Sequence, residues 1–159
     1  MKKFNLLQRA ASDFRHAQLA LEHYSGDELE LDIAAYHVQQ TIEKLMKWEM
    51  ENKGCKYSFT HESHVLYQEM VDNGLVPPEW IMQHYDILNS YATKTRYGET
   101  LVATRILLDV IVKHTSEYLL KQQQLLEQQE RQQEQEQKQE QEQKQEQEQK
   151  QEQKQEQRD

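Results

Sequence analysis

The stretch that decides the fold spans residues 34–48 and reads Ala34-Ala35-Tyr36-His37-Val38-Gln39-Gln40-Thr41-Ile42-Glu43-Lys44-Leu45-Met46-Lys47-Trp48. Its apolar residues recur at three- and four-residue steps and so line one side of a helix: Ala35, Val38, Ile42 and Leu45. Beside this stripe, Gln40, Lys44 and Lys47 share a polar face, and Glu43 precedes Lys47 by one turn, the favourable order for an ion pair. The stretch therefore predicts a helix with one buried side and a polar flank. That flank is either a solvated surface or a binding face.

The composition of the 159-residue chain changes near residue 121. Residues 1–120 hold nearly all the apolar and aromatic residues, enough for one small core, and glycine and proline are scarce. No strand-length run alternates apolar with polar residues, so we expect an all-α domain over residues 1–120. Its formal charge is 12 Lys/Arg minus 17 Asp/Glu, or −5. An acidic domain is a poor candidate for unaided, sequence-independent nucleic-acid binding, although it can hold a local basic pocket.

Three features of the sequence bear on its location. Cys55 is the only cysteine, which excludes an intramolecular disulfide and fits a reducing compartment. Polar residues interrupt the apolar residues after Lys2 and Lys3, so no signal peptide or membrane span is expected. The expected location is the cytoplasm, with no membrane partner.

Helical spacing and turn residues predict an antiparallel up-and-down bundle of about five helices. The first helix buries a series that begins at Phe4 and Leu7 and ends before Gly26, and the second covers about residues 29–52. Thr60 is the expected N-cap of the third. Pro77-Pro78 opens the fourth, which continues through Tyr91.

The fifth helix is expected to begin near Gly98-Glu99-Thr100 and to run past Tyr118. Its apolar residues cover more than one stripe, so it is either central in its own bundle or shared with a second subunit. We favour the second subunit and expect a homodimer, which replacement of Ile111 by Asp should dissociate or unfold.

Residues 121–159 form a low-complexity Gln/Glu/Lys tail in which Glu-Gln-Glu-Gln-Lys-Gln occurs three times from Glu134 to Gln151. No apolar residue follows Leu126, so the tail cannot form a coiled coil with an apolar seam. It is expected to be an exposed helix or disordered, and its simplest role is to keep the protein in solution.

Three elements together resemble the prokaryotic HEPN domain over about residues 4–120. They are the Gln39-Gln40-x-x-Glu43-Lys44 core of the second helix, Thr60-His61 after a short loop, and the late Arg96-Tyr97. The resemblance implies an antiparallel helical bundle, commonly a homodimer, with links to nucleotide or RNA chemistry. Small members of this kind are often encoded beside a minimal nucleotidyltransferase, and many such pairs act as toxin–antitoxin systems.

The ribonucleases of that family use an arginine followed by four to six residues and a histidine. Arg96 matches the arginine, but the positions for the histidine hold Leu101, Val102 and Ala103. The resemblance therefore makes Arg96 a catalytic candidate without its usual partner. We expect RNA cleavage to be weak or absent, because a proton-transferring histidine typically contributes about 10²–10⁴-fold.

The candidate ligand-binding residues are Lys44, Lys47, His61, Arg96 and Tyr97. We expect Lys44, Lys47 and Arg96 to contact phosphate, and His61 and Tyr97 to contact base or ribose. Because Arg96 and Tyr97 would directly precede the fifth helix, its N-terminal N–H groups would assist. The alternative is that Arg96 pairs with a carboxylate such as Glu43 and only braces the bundle.

His61 and His64 are three residues apart and a metal ion would need a third ligand, so we predict no metal site and no cofactor. The first functional hypothesis is a protein that binds a nucleotide or RNA phosphate, or a cognate nucleotidyltransferase. The second is a metal-independent endoribonuclease with a non-standard catalytic set. The third is a helical interaction scaffold.

Overall fold

The computed structural model describes residues 4–97 and 103–156, with the side chains of residues 4–93 and 103–147. Within those residues the chain forms α1 (Leu6–Glu22), α2 (Glu28–Asn52), α3 (Ser63–Asp72), α4 (Trp80–Gln83), α5 (Tyr85–Tyr97) and α6 (Arg105–Glu156). These residues contain no strand, so the predicted all-α class is confirmed. Two compact units result, Met1–Gln122 and Gln123–Asp159.

Helices α1 and α2 run antiparallel. The hydroxyl oxygen of Thr41 lies 3.4 Å from the carbonyl oxygen of Ala10, and His37 Nδ1 lies 3.2 Å from Asp13 Oδ1. Residue numbers therefore rise along one helix as they fall along the other. Asn5 caps α1 by accepting a hydrogen bond from the backbone N–H of Gln8 (2.8 Å). Phe4 therefore precedes the helix and is 61% exposed, which makes its assignment to the buried face wrong.

The buried stripe predicted for α2 is confirmed. Ala35, Val38, Ile42 and Leu45 are all fully buried. Asp27 caps the helix by accepting a hydrogen bond from Leu29 N (2.9 Å). Glu28 and Glu30 in the first turn interact favourably with the positive end of the helix dipole. With 25 residues, α2 is long enough to support contacts from α1, α3, α5 and α6.

The predicted N-cap of the third helix is wrong. α3 begins at Ser63, with Glu62 as its N-cap and no side-chain bond from that residue. The Thr60 hydroxyl accepts from Glu62 N (3.1 Å) in a turn just before the helix, and Asn89 Oδ1 of α5 accepts from Ser63 N (3.0 Å). A residue distant in sequence thus takes over part of the capping role.

The predicted fourth helix is divided into α4 and α5 at His84. The backbone of His84 leaves the helical region (φ −120°, ψ 14°), and its Nδ1 lies 2.8 Å from the Trp80 carbonyl oxygen. That contact satisfies a carbonyl at the end of α4. Ile81 and Leu88 on either side are fully buried, so the break lets both short helices reach the core.

Helix α6 begins at Arg105, later than the predicted start at residues 98–100, and residues 98–102 lie outside the described residues. It docks on α2 through the Tyr118 hydroxyl, which donates to Glu49 Oε2 (2.7 Å), and on α4 through His114, whose ring stacks on Trp80 at 5.4 Å. Ile111 is fully buried within the protomer, so it does not belong to an exposed dimer face.

The tail continues α6 as a helix to Glu156. An ion pair one turn apart joins Arg131 to Glu127 (3.1 Å), in the spacing that stabilises isolated helices. Among the described helices, none is both long enough and apolar enough to cross a membrane.

Candidate functional site

A row of polar side chains is buried on α2. Gln39, Glu43 and Lys47 follow one another at four-residue steps and therefore lie above one another on the helix. Their exposed fractions are only 0%, 5% and 9%. Lys47 Nζ donates to Glu43 Oε1 at 2.8 Å, so the predicted ion pair is present, but it is buried and not solvated.

The loop between α2 and α3 covers this row and is fastened to it. Lys47 Nζ donates to the carbonyl of Thr60 (2.8 Å), and Gln39 Nε2 donates to the carbonyl of His61 (3.2 Å). The imidazole of His61 closes the arrangement, with its Nδ1 3.0 Å from Glu43 Oε2. The buried polar row therefore fixes both the backbone and the ring of His61.

Glu43 is the electrostatic centre of this arrangement. Burial alone would raise the pKa of its carboxyl, but hydrogen bonds and charge from Lys47 and His61 outweigh that effect and hold the pKa below its usual value. Glu43 is therefore a carboxylate at neutral pH. Because it bonds His61 Nδ1, it favours the imidazole tautomer whose Nδ1 carries the proton and whose Nε2 is an acceptor.

Lys44 belongs to a second cluster, on the side of α2 that faces α1. Its Nζ lies 2.7 Å from Asp13 Oδ2 and 3.2 Å from Gln40 Oε1. The other oxygen of Asp13 meets His37, whose ring stacks on that of His16 at 5.1 Å. In the structure Lys44 thus ties α2 to α1.

A cleft of about 390 Å³ opens beside His61. Its wall is formed by the α2–α3 loop and by α5, namely Phe59, Thr60, His61, Glu62, Asn89, Ala92 and Thr93. Half of the His61 side chain is exposed there, while its other side is held by Glu43. The cleft therefore combines a positioned imidazole with hydroxyl and amide groups, which suits a small polar ligand.

The structure brings part of the predicted site together. His61 lies on the cleft, and Arg96 and Tyr97 are the last two residues of α5, one turn beyond Ala92 and Thr93 of the cleft wall. The side chains of Arg96 and Tyr97 lie outside the described residues. Phosphate contact by Lys44 and Lys47 stays a prediction, and both ammonium groups bind carboxylates of the same chain in the structure.

The predicted setting of Arg96 and Tyr97 is wrong in one respect. They are the last two residues of α5 and do not directly precede α6, which begins at Arg105. Residues 98–102, which follow them in the chain, lie outside the described residues. The proposed bracing of Glu43 by Arg96 involves a side chain outside the described residues, and Glu43 is already bonded to Lys47 and His61.

Both ring nitrogens of His64, the second histidine considered for a metal, contact neighbouring side chains. Its Nδ1 lies 3.2 Å from Asn89 Nδ2 and its Nε2 3.5 Å from Glu62. Across residues 4–93 and 103–147, no group of three or more histidine, cysteine or acidic side chains has a geometry suited to a metal ion.

Of the residues that line the cleft, only His61 is a predicted candidate, and Asn89 and Phe59 are the most informative of those that the sequence missed. Asn89 links α5 to α3, and Phe59 is fully exposed at the cleft edge. Asn89 precedes Thr93 by one helical turn and Arg96 by two. Helical spacing back from Arg96 could therefore have identified Asn89 as a residue of the same face. Phe59 carries no periodic signal, because it lies in a loop.

The sequence model of the HEPN domain matches residues 5–128. The chain belongs to the HEPN domain family. No curated protein and no solved structure shows significant similarity to it. The HEPN match includes the buried polar row, the cleft and Arg96-Tyr97, and it leaves most of the tail outside.

Proposed function

We propose that this HEPN protein binds the phosphate of a nucleotide or of RNA in the cleft between the α2–α3 loop and α5. The observation that carries the proposal is the fixed, half-exposed imidazole of His61 on that cleft. Asn89, Thr93 and Arg96 follow at four- and three-residue steps, so their backbone positions share the face of α5 that borders it.

In this proposal Arg96 holds the phosphate through two parallel hydrogen bonds, and Tyr97 and His61 contact base or ribose. Lys47 does not contact the ligand in this proposal, because Glu43 neutralises its charge. Its bond to the Thr60 carbonyl holds the α2–α3 loop in position. Lys44 joins the phosphate contacts only if a ligand displaces Asp13, 2.7 Å from its ammonium group.

Calorimetric titration of the full chain with ATP and with a short RNA tests the site. Buried arginine–phosphate hydrogen bonds contribute on the order of 1.5–3 kcal/mol each, so Arg96→Ala should weaken binding about tenfold or more. Arg96→Lys should restore part of the affinity, because lysine keeps the charge and loses the two-pronged geometry. Arg131→Ala, in the tail, is the matched control and should change nothing.

A thermal melt of each variant separates binding from bracing. If Arg96→Ala lowers the melting temperature while the folded protein keeps its affinity, Arg96 supports the bundle and the proposed site is wrong.

The Glu43–His61 pair favours a second candidate, a metal-independent endoribonuclease. In that reaction His61 Nε2 takes the proton of a ribose 2′-hydroxyl, whose oxygen then bonds the adjacent phosphorus. The bond from phosphorus to the 5′-oxygen breaks, and that oxygen takes a proton from water. Glu43 would stabilise the imidazolium that forms.

Incubation of the pure protein with pooled transcripts distinguishes the candidates. The binding proposal predicts weak or absent cleavage, since no histidine follows Arg96 at the spacing of the family's ribonucleases. Robust cleavage that His61→Ala and Glu43→Gln both abolish, at unchanged RNA affinity, would establish the second candidate instead.

A further inference from the structure

Helix α3 ends at the only Asn-Gly pair of the chain, Asn73-Gly74. Asn73 is the C-cap, and Gly74 adopts the left-handed conformation (φ +74°) that this helix-ending turn requires. The N–H of Leu75 donates to the carbonyl of Met70 (2.9 Å) and that of Gly74 to the carbonyl of Val71 (2.9 Å), which completes a Schellman motif. Both residues of the pair are exposed, so water reaches them directly.

An asparagine followed by glycine can close a five-membered ring with its own backbone. The nitrogen of Gly74 loses its proton and bonds Cγ of Asn73, the Cγ–Nδ2 bond breaks, and ammonia leaves. Water then opens the succinimide ring at either of its two carbonyls, which leaves an aspartyl or an isoaspartyl residue at position 73. No oxidant or reductant takes part. Glycine favours the ring closure because it has no Cβ to crowd the attacking nitrogen.

The C-cap of α3 restrains both groups that would react. Asn73 Nδ2 donates to the carbonyl of Glu69 (2.7 Å), which holds the side chain against the helix. The N–H of Gly74 is bonded to Val71, so the attacking nitrogen is engaged in the turn. Both bonds must open before the ring can close. The reaction therefore proceeds from a frayed last turn and not from the intact cap.

Conversion of Asn73 would weaken the cap itself. A carboxylate at this position cannot donate to the Glu69 carbonyl. It also places a negative charge at the negative end of the helix dipole, directly after Asp72. Both changes disfavour the last turn of α3.

That last turn also holds the loop that borders the His61 cleft. The carboxylate of Glu69 accepts from the backbone N–H of Ser58 (3.1 and 3.2 Å), two residues before Thr60 of the cleft wall. The carbonyl of Glu69 thus bonds the side chain of Asn73 while its carboxylate bonds the loop. Fraying of this turn would release the loop at Ser58.

We propose that Asn73-Gly74 is a deamidation site, whose conversion to aspartyl and isoaspartyl forms loosens the α2–α3 loop beside the cleft. The other three asparagines of the chain precede leucine, lysine and serine, whose side chains hinder the attacking nitrogen. Because ammonia is lost, the change does not reverse by itself and accumulates with the age of the molecule.

Incubation of the full chain in mildly alkaline buffer, followed by peptide mass spectrometry, tests the site. Position 73 should gain the mass difference between an amide and an acid before the other asparagines do. Its conversion should be roughly tenfold faster in urea than in native buffer, because urea removes the cap that holds the pair closed. Asn52, at the end of α2 and followed by Lys53, is the internal control.

Gly74→Ala separates the ring chemistry from the fold. The variant is compared with the wild type in urea, where the strain of alanine at a positive φ has no influence, and its added Cβ should slow the conversion. Conversion of Asn52 as fast as that of Asn73 would overturn the site. Equal rates in urea and in native buffer would overturn its control by the cap.

Asn73→Asp mimics the aspartyl product and tests the effect on the loop. Hydrogen exchange of peptides that cover residues 56–62 should be severalfold faster in this variant, because Ser58 is held through the last turn of α3. Gln128→Glu, at an exposed position of the tail, makes the same change of group and charge and should leave the exchange unaltered. Exchange that is unchanged in Asn73→Asp would overturn the proposed link between the deamidation site and the cleft.

Discussion

Glu43 accepts hydrogen bonds from three side chains, those of Gln39, Lys47 and His61. Removing one partner of a buried ion pair leaves the other charge without compensation. Lys47 would then be a buried ammonium group that has lost its carboxylate partner and keeps its bond to the Thr60 carbonyl. Glu43 therefore affects both stability and the position of His61.

Glu43→Ala should destabilise the domain by roughly 3–5 kcal/mol at neutral pH, the usual cost of breaking a buried pair. Urea unfolding measures the change. Glu62→Ala, at an exposed carboxylate of the same loop region, should cost far less. Equal effects of the two changes would show that the Glu43 cluster is not a stabilising unit.

The depressed pKa of Glu43 also predicts a pH dependence. A carboxyl whose folded pKa lies below its unfolded value, here 4.5, contributes stability that is fully present above that value. This contribution is lost as the pH falls through the folded pKa. The stability difference between wild type and Glu43→Gln should therefore be largest near pH 7 and shrink below about pH 4.5. A difference that grows on acidification would contradict the assignment.

Sequence predicted the chemistry of α2 but not its surroundings. The order of Glu43 and Lys47 indicated their ion pair, because that contact depends only on helical spacing. Their burial depends on a loop 13 residues beyond Lys47 that returns to cover it, and local pattern carries no such information. For the same reason the sequence could not show that Lys47, predicted to contact phosphate, pairs with Glu43 and bonds the Thr60 carbonyl.

At the scale of elements, the docking of α6 on α2 depends on Tyr118. Its hydroxyl donates to Glu49, which also accepts from Gln122 Nε2 (3.0 Å). Burial, and then the charge of Glu49, raises the pKa of Tyr118 well above its usual value. Tyr118 therefore stays neutral in the folded chain under conditions that ionise it in the unfolded chain.

Tyr118→Phe should destabilise the domain by about 1.5–3 kcal/mol, because a hydrogen bond to a charged acceptor is lost. It should also remove part of the alkaline instability. The unfolded tyrosine ionises near pH 10, so the wild type loses this contribution to stability as the pH rises above that value. Denaturant unfolding between neutral and alkaline pH measures both effects, and Tyr67→Phe on α3 is a control.

The start of a helix could be predicted from the sequence where the capping residue is adjacent in the chain, and not where a distant residue supplies the cap. Asp27 and Asn5 cap their own helices through neighbouring backbone groups. The third helix starts later than Thr60 suggests because Asn89, 26 residues away, meets its first N–H. The break at His84 satisfies core packing on both sides, which a periodicity analysis of one continuous segment cannot detect.

At the scale of the whole molecule, a homodimer through α6 stays a prediction, and the structure changes which residues test it. Ile106 and Val110 are 81% and 42% exposed, whereas Ile111 is fully buried. Val110→Asp should therefore separate the subunits and leave the fold intact. Ile111→Asp should unfold the domain, since it buries an unpaired charge at a cost of several kcal/mol.

Light scattering beside a thermal melt checks both variants. A monomeric wild type would refute the dimer. Dissociation by Ile111→Asp with an unchanged melting temperature would refute the burial of that residue.

Removal of the tail after Gln122 should leave the melting temperature of the domain unchanged, because the two compact units divide there. A cut one residue earlier, after Lys121, should cost stability, since it deletes the Gln122 bond to Glu49. The pair of truncations differs by a single residue, and equal melting temperatures would show that this bond contributes nothing.

The stack of Trp80 on His114, with 16° between the rings, gives the protein an optical reporter of its own. Indole emission depends on the groups that touch the ring and on its contact with water. Whenever α6 separates from α4, Trp80 exchanges an aromatic neighbour for solvent, and its emission shifts to longer wavelength. The only other tryptophan, Trp48, is buried on α2. A Trp48→Phe variant would therefore leave Trp80 as the one indole, and its emission would follow the docking of α6 without an added label.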